Sequence, residues 1–350
     1  MEYRTLGATD LKISQLTLGT MTFGSQNSER EGHEQLDYAV ERGINLVDTS
    51  EHYPVPPTAE TQGSTETIIG TWLKQPGNRK KVLIATKAVG PSHASRISSA
   101  HIREGNNHFT RANLESALHT SLTRLQTDVI DLYQLHWPDR RTNFFGHLSY
   151  EHLEQEGTVP LEETLAVLDG FVKAGKVRHI GVSNETAWGV SRYLLLAATK
   201  GLARIVSIQN PYNFLNRSFD IGLGEIALHE NVSLLGYSPL AFGVLTGKYL
   251  GGAKPPGARL TLSERFARYN NEQAQKALVE YVALAKANGL DPAQMANAWA
   301  ARRRVVTSSI IGGTSVAQLK RSIDSLDLAL SPEVLAAIDA IHTRYPNPAP

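Results

Sequence analysis

The chain has 350 residues, a formal net charge of +1, 41% apolar and 20% charged residues, and no cysteine. That composition excludes a disordered or fibrous chain, and the missing cysteine excludes a disulfide framework, a thiolate metal or iron–sulfur site and a thiol nucleophile. A charge near zero supplies no global field for nucleic acid or an anionic membrane, so neither is an expected partner.

The opening run Met1–Leu6 has no apolar signal region, and no stretch approaches 18 apolar residues. A cytoplasmic protein without a membrane span is therefore expected. Tyr3–Leu6 and Leu11–Leu16 flank Gly7-Ala8-Thr9-Asp10, which predicts a β-hairpin. Thereafter short β-rich runs alternate with helical periods. A strand is predicted at Leu16–Gly19, then a helix capped by Ser28, running to Arg42 and stopped by Gly43. Strands follow at Asn45–Asp48 and Val82–Lys87. Leu114, Leu118, Leu122 and Leu125 share one face of the next clear helix. After a strand at Ile130–His136, Pro160 opens a helix carrying Leu161, Leu165, Leu168 and Phe171-Val172, and Gly175 closes it. A strand at His179–Ser183 leads to a helix beginning near Thr186. Three more strands are predicted at Ile205–Gln209, Ser233–Tyr237 and Ser308–Ile311. Val316, Leu319, Ile323 and Leu326 mark a late helix. Ser331-Pro332-Glu333 opens a final one with Leu335, Ile338 and Ile341 inward.

Eight mainly Val, Ile and Leu strands alternating with helices predict parallel βα units. A closed (β/α)8 barrel and a doubly wound open sheet compete. The count of eight, and the lack of a Pro-, Gly- or Ser-rich linker, favour an α/β fold of the TIM-barrel type with an N-terminal hairpin, as one domain over 1–350. Such a barrel needs ~250 residues. The surplus of about a hundred falls in 54–63, 88–109, 137–159 and 238–271, all behind strand C-termini, which predicts long loops over one face.

Active sites of these barrels lie at the strand C-termini. The predicted strands end at Asp48, Lys87, His136, Ser183-Asn184, Gln209 and Tyr237, and the last runs into Gly312-Gly313-Thr314; Tyr53 follows Asp48 closely. Each has an ordinary structural explanation: a capping Asp or Ser-Asn, a solvated Lys, a core His, a half-buried Tyr, a Gly turn. Their joint placement does not. A Tyr phenol, with an ordinary pKa of ~10, is a poor acid near neutrality. A neighbouring Lys lowers that pKa, and an Asp keeps the Lys charged. A His can donate to a carbonyl oxygen. Ser, Asn and Gln suit a carboxamide, and an aromatic can stack on a flat ring. The set describes a nicotinamide pocket serving hydride transfer to a carbonyl.

The motifs resemble those of the aldo-keto reductases along nearly the whole chain. Leu18-Gly19-Thr20-Met21-Thr22-Phe23-Gly24 is similar to the first-strand motif, and residues 43–53 (GINLVDTSEHY) to the signature G-x-N-x-x-D-T-A-x-x-Y. Residues 131–138 (DLYQLHWP), 175–184 (GKVRHIGVSN) and 237–249 (YSPLAFGVLTGKY) match the fourth-strand, fifth-strand and cofactor-loop motifs. The resemblance implies an NADP(H)-dependent oxidoreductase that reduces small-molecule aldehydes and ketones. Tyr53 would be the proton donor, with Asp48, Lys87 and His136 completing a catalytic tetrad. Thr20, Met21 and Asp48 would line the cofactor site. Ser183, Asn184 and Gln209 would hold the carboxamide, and Tyr237 would stack on the ring. Ser238, Pro239, Leu240, Ala241, Gly243 and Lys248 would cradle the pyrophosphate. Gly312, Thr314, Gln318 and Arg321 would reach the adenosine end. Arg259 aligns with an Arg on the 2′-phosphate in relatives, which favours NADP(H) over NAD(H).

Two positions depart from the family pattern: Ser322 stands where many members have Asn, and Pro54 follows Tyr53 in place of the common Gly. The motif set is shared with potassium-channel β subunits, so a slow, nucleotide-sensing regulatory subunit is the alternative. A Schiff-base lyase through Lys87 is opposed by Asp48, which keeps the amine protonated. A metal is not expected, because the 12 His are scattered without H-x-H or H-E-x-x-H spacing. Phe23, Trp137, Phe144, Phe145 and Phe214 predict a partly apolar pocket. No sequence pattern specifies an oligomeric state.

Overall fold

The computed structural model describes residues 1–92, 99–146, 149–152 and 157–350, with side chains for all of these except 264 and 265. The predicted loops 88–109 and 137–159 therefore lie partly outside the described residues.

Strands β1 (Tyr3–Thr5) and β2 (Lys12–Ser14) pair antiparallel as the predicted hairpin. Eight parallel strands then close a barrel: β3 (Leu16–Gly19), β4 (Leu46–Asp48), β5 (Leu83–Ala88), β6 (Ile130–Leu135), β7 (Val177–Ser183), β8 (Ile205–Pro211), β9 (Ser233–Tyr237) and β10 (Val306–Ile311). Each pairs with the next, and β10 returns to β3 through Ser309–Leu16, Ile310–Thr17 and Ile311–Leu18. That closing pair excludes the open doubly wound sheet. The architecture is a (β/α)8 TIM barrel.

The helices are α1 (Glu29–Glu41), α2 (Ser64–Leu73), α3 (Arg111–Leu125), α4 (Leu161–Lys173), α5 (Ala187–Lys200), α6 (Leu223–His229), α7 (Arg259–Leu262), α8 (Glu272–Ala287), α9 (Pro292–Arg302), α10 (Val316–Asp324) and α11 (Pro332–Arg344). Ser28 caps α1 in a full capping box with Glu31, as the sequence predicts for that helix start. Helices α2, α6, α7, α8 and α9 are not among those expected from the sequence, although α8 buries Ala274, Ala277, Leu278, Tyr281, Val282 and Ala285 at helical spacing. In α9 the buried face is built largely from Ala, with Ala293, Ala296, Ala298, Ala300 and Ala301 at 0–3% exposure. Small side chains let this helix approach its neighbours closely, but they leave a weak periodic pattern. Its local signal is the Asp291 N-cap followed by Pro292. None of the helices is long and apolar enough to cross a membrane, among the described residues.

Two apolar layers hold the barrel. Leu46, Ala85, Leu132, Val206, Leu235 and Ile310 fill its interior, joined from below by Leu6 and Ile13 of the hairpin. A larger shell joins strand exteriors to helices. The hairpin plugs the N-terminal end: Gly7 N donates to Ser233 Oγ at 2.7 Å, and Asn45 Nδ2 donates to the Lys12 carbonyl at 2.8 Å. Gly7 has φ +52°, and a Cβ there would stand 2.3 Å from the Val206 carbonyl oxygen, so both conformation and space require glycine. With the lower end sealed, the opposite end and its long loops are the accessible mouth.

Candidate functional site

Asp48 ends β4 and Lys87 lies one residue before the end of β5, both essentially shielded from solvent. A buried ammonium is tolerable only when paired. Lys87 Nζ donates to Asp48 Oδ2 at 2.8 Å and to the Thr49 carbonyl at 2.7 Å. The other carboxylate oxygen, Asp48 Oδ1, accepts from Gln209 Nε2 of β8 at 2.8 Å. Thr20 Oγ1 donates to the Asp48 carbonyl at 2.8 Å, which ties the end of β3 to this group. Burial pulls the Lys87 ammonium down from its ordinary range, and the adjoining Asp48 charge opposes that shift.

Tyr53 leaves the loop after β4 with its ring centroid 4.9 Å from Lys87 Nζ and 5.7 Å from the His136 ring, edge-on. The Tyr53–Pro54 and Val55–Pro56 peptides are both cis. Burial pushes the Tyr53 phenol well above its ordinary value, the Asp48 charge adds to the rise, and Arg259 opposes it. From the sequence, Lys87 is expected to lower this pKa. Here Asp48 at 2.8 Å offsets part of the Lys87 charge, burial outweighs what remains, and the phenol stays protonated at neutral pH.

His136 directly follows β6 and is 8% exposed. Its backbone N–H donates to the Ala88 carbonyl at 2.9 Å, and Nδ1 lies 3.0 Å from Ser50 Oγ. Burial, then the charges of Lys87 and His52, hold its pKa well below the ordinary histidine value. The ring is therefore neutral.

Ser183, Asn184 and Tyr237 form a chain of hydrogen bonds. Ser183 Oγ donates to the Gln209 carbonyl at 2.8 Å, and Asn184 Nδ2 donates to the His136 carbonyl at 2.8 Å and to Ser183 Oγ at 3.0 Å. Tyr237 Oη donates to Asn184 Oδ1 at 2.7 Å. Asn184 has φ +55°, the left-handed conformation that Asn tolerates better than most residues.

Thr20, Asp48, Tyr53, His136, Ser183, Asn184, Gln209 and Tyr237 line a single cavity of about 890 Å³ at the barrel mouth. Of the catalytic and cofactor-binding residues proposed from sequence, Lys87 and Ala241 alone are absent from its wall. Lys87 lies behind Asp48. Ala241 is fully buried, and its part is in the backbone: Ser238, Ala241, Phe242 and Gly243 have φ of +56°, +48°, +56° and +90° and form a tight turned loop. Lys248 and Arg259 enter the wall from this side, and neither has a carboxylate partner among the described residues. Burial first, and the Arg259 charge second, depress Lys248. Two cations beside each other, without a carboxylate partner among the described residues, in a partly apolar cavity suit a polyanion such as a dinucleotide phosphate. At the far end Gly312, Thr314, Gln318 and Arg321 line the wall, with Ser322 beside them. Gln318 Oε1 accepts from Thr314 N at 3.1 Å, and Arg321 pairs with Asp291, the N-cap residue of α9. Arg321 is thus a partly compensated cation.

The apolar wall differs from the sequence expectation. Trp137 and Phe145 line the cavity, whereas Phe23, Phe144 and Phe214 are packed into hydrophobic clusters. Instead Val55, Phe242 and Phe266 contribute apolar surface. Sequence reasoning also missed Ser50, His52, Arg268 and Asn297. The first two sit between motif positions, and Arg268 and Asn297 lie on segments whose route to the mouth has no local signal.

Comparison with known proteins places the chain in a family. Residues 15–343 match the model of the Aldo/keto reductase family. The chain is 55% identical to "Protein tas" of Escherichia coli K12 over all of both chains. It is 32% identical to "Uncharacterized oxidoreductase YrpG" of Bacillus subtilis, over 99% of this chain and 97% of that one. It is 30% identical to a "Probable voltage-gated potassium channel subunit beta" of Oryza sativa subsp. japonica, over 99% and 98%. The chain belongs to the aldo/keto reductase family of oxidoreductases.

Proposed function

We propose that this chain, acting as one domain, is an NADP(H)-dependent reductase of aldehydes and ketones with Tyr53 as general acid. One observation carries the reading: Tyr53 and neutral His136 face one cavity, with the Asp48–Lys87 pair directly behind the Tyr53 ring. NADPH, when bound, supplies the hydride. The cavity-wall cations Lys248 and Arg259 fit its phosphates, and Arg259 is assigned the 2′-phosphate because its guanidinium forks onto phosphate oxygens. Gly312, Thr314, Gln318 and Arg321 are assigned the adenosine end, the loop Ser238–Gly243 the pyrophosphate, and Tyr237 the nicotinamide face.

The chain's own part is positional and acid–base. Tyr53 holds a proton at its phenol oxygen and gives it to the developing alkoxide. His136 donates a hydrogen bond to the same oxygen. As the Tyr53 proton leaves, Lys87 stabilises the phenolate, and Asp48 keeps the ammonium in place. Asn184 and Gln209 are bound to protein partners, so their orientation is set in advance.

The test is NADPH oxidation, followed optically, with a panel including 4-nitrobenzaldehyde and methylglyoxal, repeated with NADH. Catalytic turnover with NADPH, and weaker use of NADH, is expected. Stoichiometric oxidation without turnover would instead favour a nucleotide sensor, the reading suggested by the plant channel-subunit relative.

A further inference from the structure

Ser50 occupies the position at which the family signature has Ala, so its hydroxyl is an addition to the tetrad's surroundings. It is fully buried. A serine hydroxyl has one hydrogen to donate and two lone pairs. Ser50 Oγ accepts from the His52 backbone N–H at 3.1 Å and lies 3.0 Å from His136 Nδ1. Were Nδ1 protonated, it would donate to Ser50, and the serine hydrogen would have no acceptor among the described residues at a fully buried position. Leaving a buried hydroxyl hydrogen unpaired is unfavourable, because its desolvation is not offset. The serine hydrogen therefore belongs on the Ser50–His136 line, with Nδ1 as acceptor. The imidazole is neutral because burial, Lys87 and His52 all disfavour its charged form. Its one proton then resides on Nε2, which makes no hydrogen bond within the described residues, on a ring that lines the cavity.

We propose that Ser50 is a positioning residue: its hydroxyl donates to His136 Nδ1 and fixes the ring as the Nε2–H tautomer, the form that can donate to a carbonyl oxygen in the cavity. This deepens the reading of His136 given above and rests on it for its catalytic consequence, although not for the tautomer itself.

The experiment uses the full chain labelled with 15N-histidine. Long-range 1H–15N correlation assigns the His136 signals by their loss in His136→Ala. The wild type should show a single Nε2–H tautomer from pH 6 to 8, and Ser50→Ala should show mixed or averaged nitrogen shifts. In the NADPH assay with 4-nitrobenzaldehyde, Ser50→Ala should lower kcat roughly tenfold, a fraction of the 10²–10³ lost when a whole oxyanion donor is removed. Its KM for NADPH should be unchanged. In a His136→Ala background the same change should have less than about a twofold effect, because the residue acts through the imidazole. An Nδ1–H tautomer in the wild type, an unchanged tautomer in Ser50→Ala, or an equal loss of kcat without the imidazole would each overturn the assignment. If the wild type reduces no carbonyl at all, the functional reading fails, and the nitrogen shifts alone still decide what Ser50 does to His136.

Discussion

Gln209 on β8 reaches across the barrel mouth and donates its side-chain amide to Asp48 Oδ1 on β4 at 2.8 Å, while Lys87 takes Oδ2. The carboxylate is thus held from two sides, and Gln209 supports the ion pair as well as lining the cavity. Replacing Gln209 by Leu leaves one oxygen of a buried carboxylate without its donor. A loss of about 1–3 kcal/mol in folding stability is expected, measurable as a lower urea midpoint at unchanged m-value.

Tyr53→Phe removes the proton donor and leaves the ring. A positioned acid is worth about 10²–10⁴ in rate, so kcat should fall by that factor. NADPH affinity, read by fluorescence titration, should stay within about twofold. Reduction at the wild-type rate would sink the proposed acid role.

Arg259 stands over the Phe242 and Phe266 rings, 5.6 and 5.3 Å from their centroids, which holds its guanidinium at the wall. Charge-assisted hydrogen bonds contribute about 1.5–3 kcal/mol. Arg259→Ala should therefore weaken NADPH binding by about 10–100-fold and NADH binding far less. Equal weakening of both would remove the 2′-phosphate assignment.

Burial lowers the pKa of His101, His136, His179 and His342 from the ordinary 6.5. The unfolded chain consequently binds more protons than the folded one once pH drops below about 6.5. Stability is then lost as pH falls, by up to about 1.4 kcal/mol per pH unit for a fully buried group such as His136. Urea midpoints measured between pH 7.5 and 5 should decline, and His136→Asn should flatten part of that slope.

Two helical glycines should respond oppositely to alanine. A Cβ at Gly70 in α2 would stand 2.1 Å from the Arg124 carbonyl oxygen at the end of α3, whereas at Gly170 in α4 it would meet nothing within 4 Å. Gly70→Ala should cost about 1–3 kcal/mol through overpacking. Gly170→Ala should stabilise by about 0.5–1 kcal/mol through helix propensity. Thermal midpoints would separate the two.

Strand order and most strand ends were legible in the chain itself. Buried parallel strands must be continuous apolar runs, and a polar residue at their ends is conspicuous against that background. Asp48, Lys87, His136, Ser183, Gln209 and Tyr237 stand out for this reason. The helices that pack through Ala were not legible, since α9 buries small side chains that leave little periodicity. Nor was the wall of the cavity: Phe214 stacks on Tyr281 in the core with ring centroids 4.5 Å apart, while Phe266 reaches the mouth, and no local pattern distinguishes them.

The sequence by itself determined the eight βα units and the chemical types gathered at the strand C-termini, because burial on both strand faces and the barrel's polarity are written in residue order. Tertiary structure decided how those groups share charge and protons. Whether Lys87 lowers the Tyr53 pKa depends on Asp48 sitting 2.8 Å from the ammonium, and which nitrogen of His136 carries its proton depends on Ser50 Oγ 3.0 Å away. Electrostatic effects fall with distance and rise with burial, and both quantities exist only once the chain has folded.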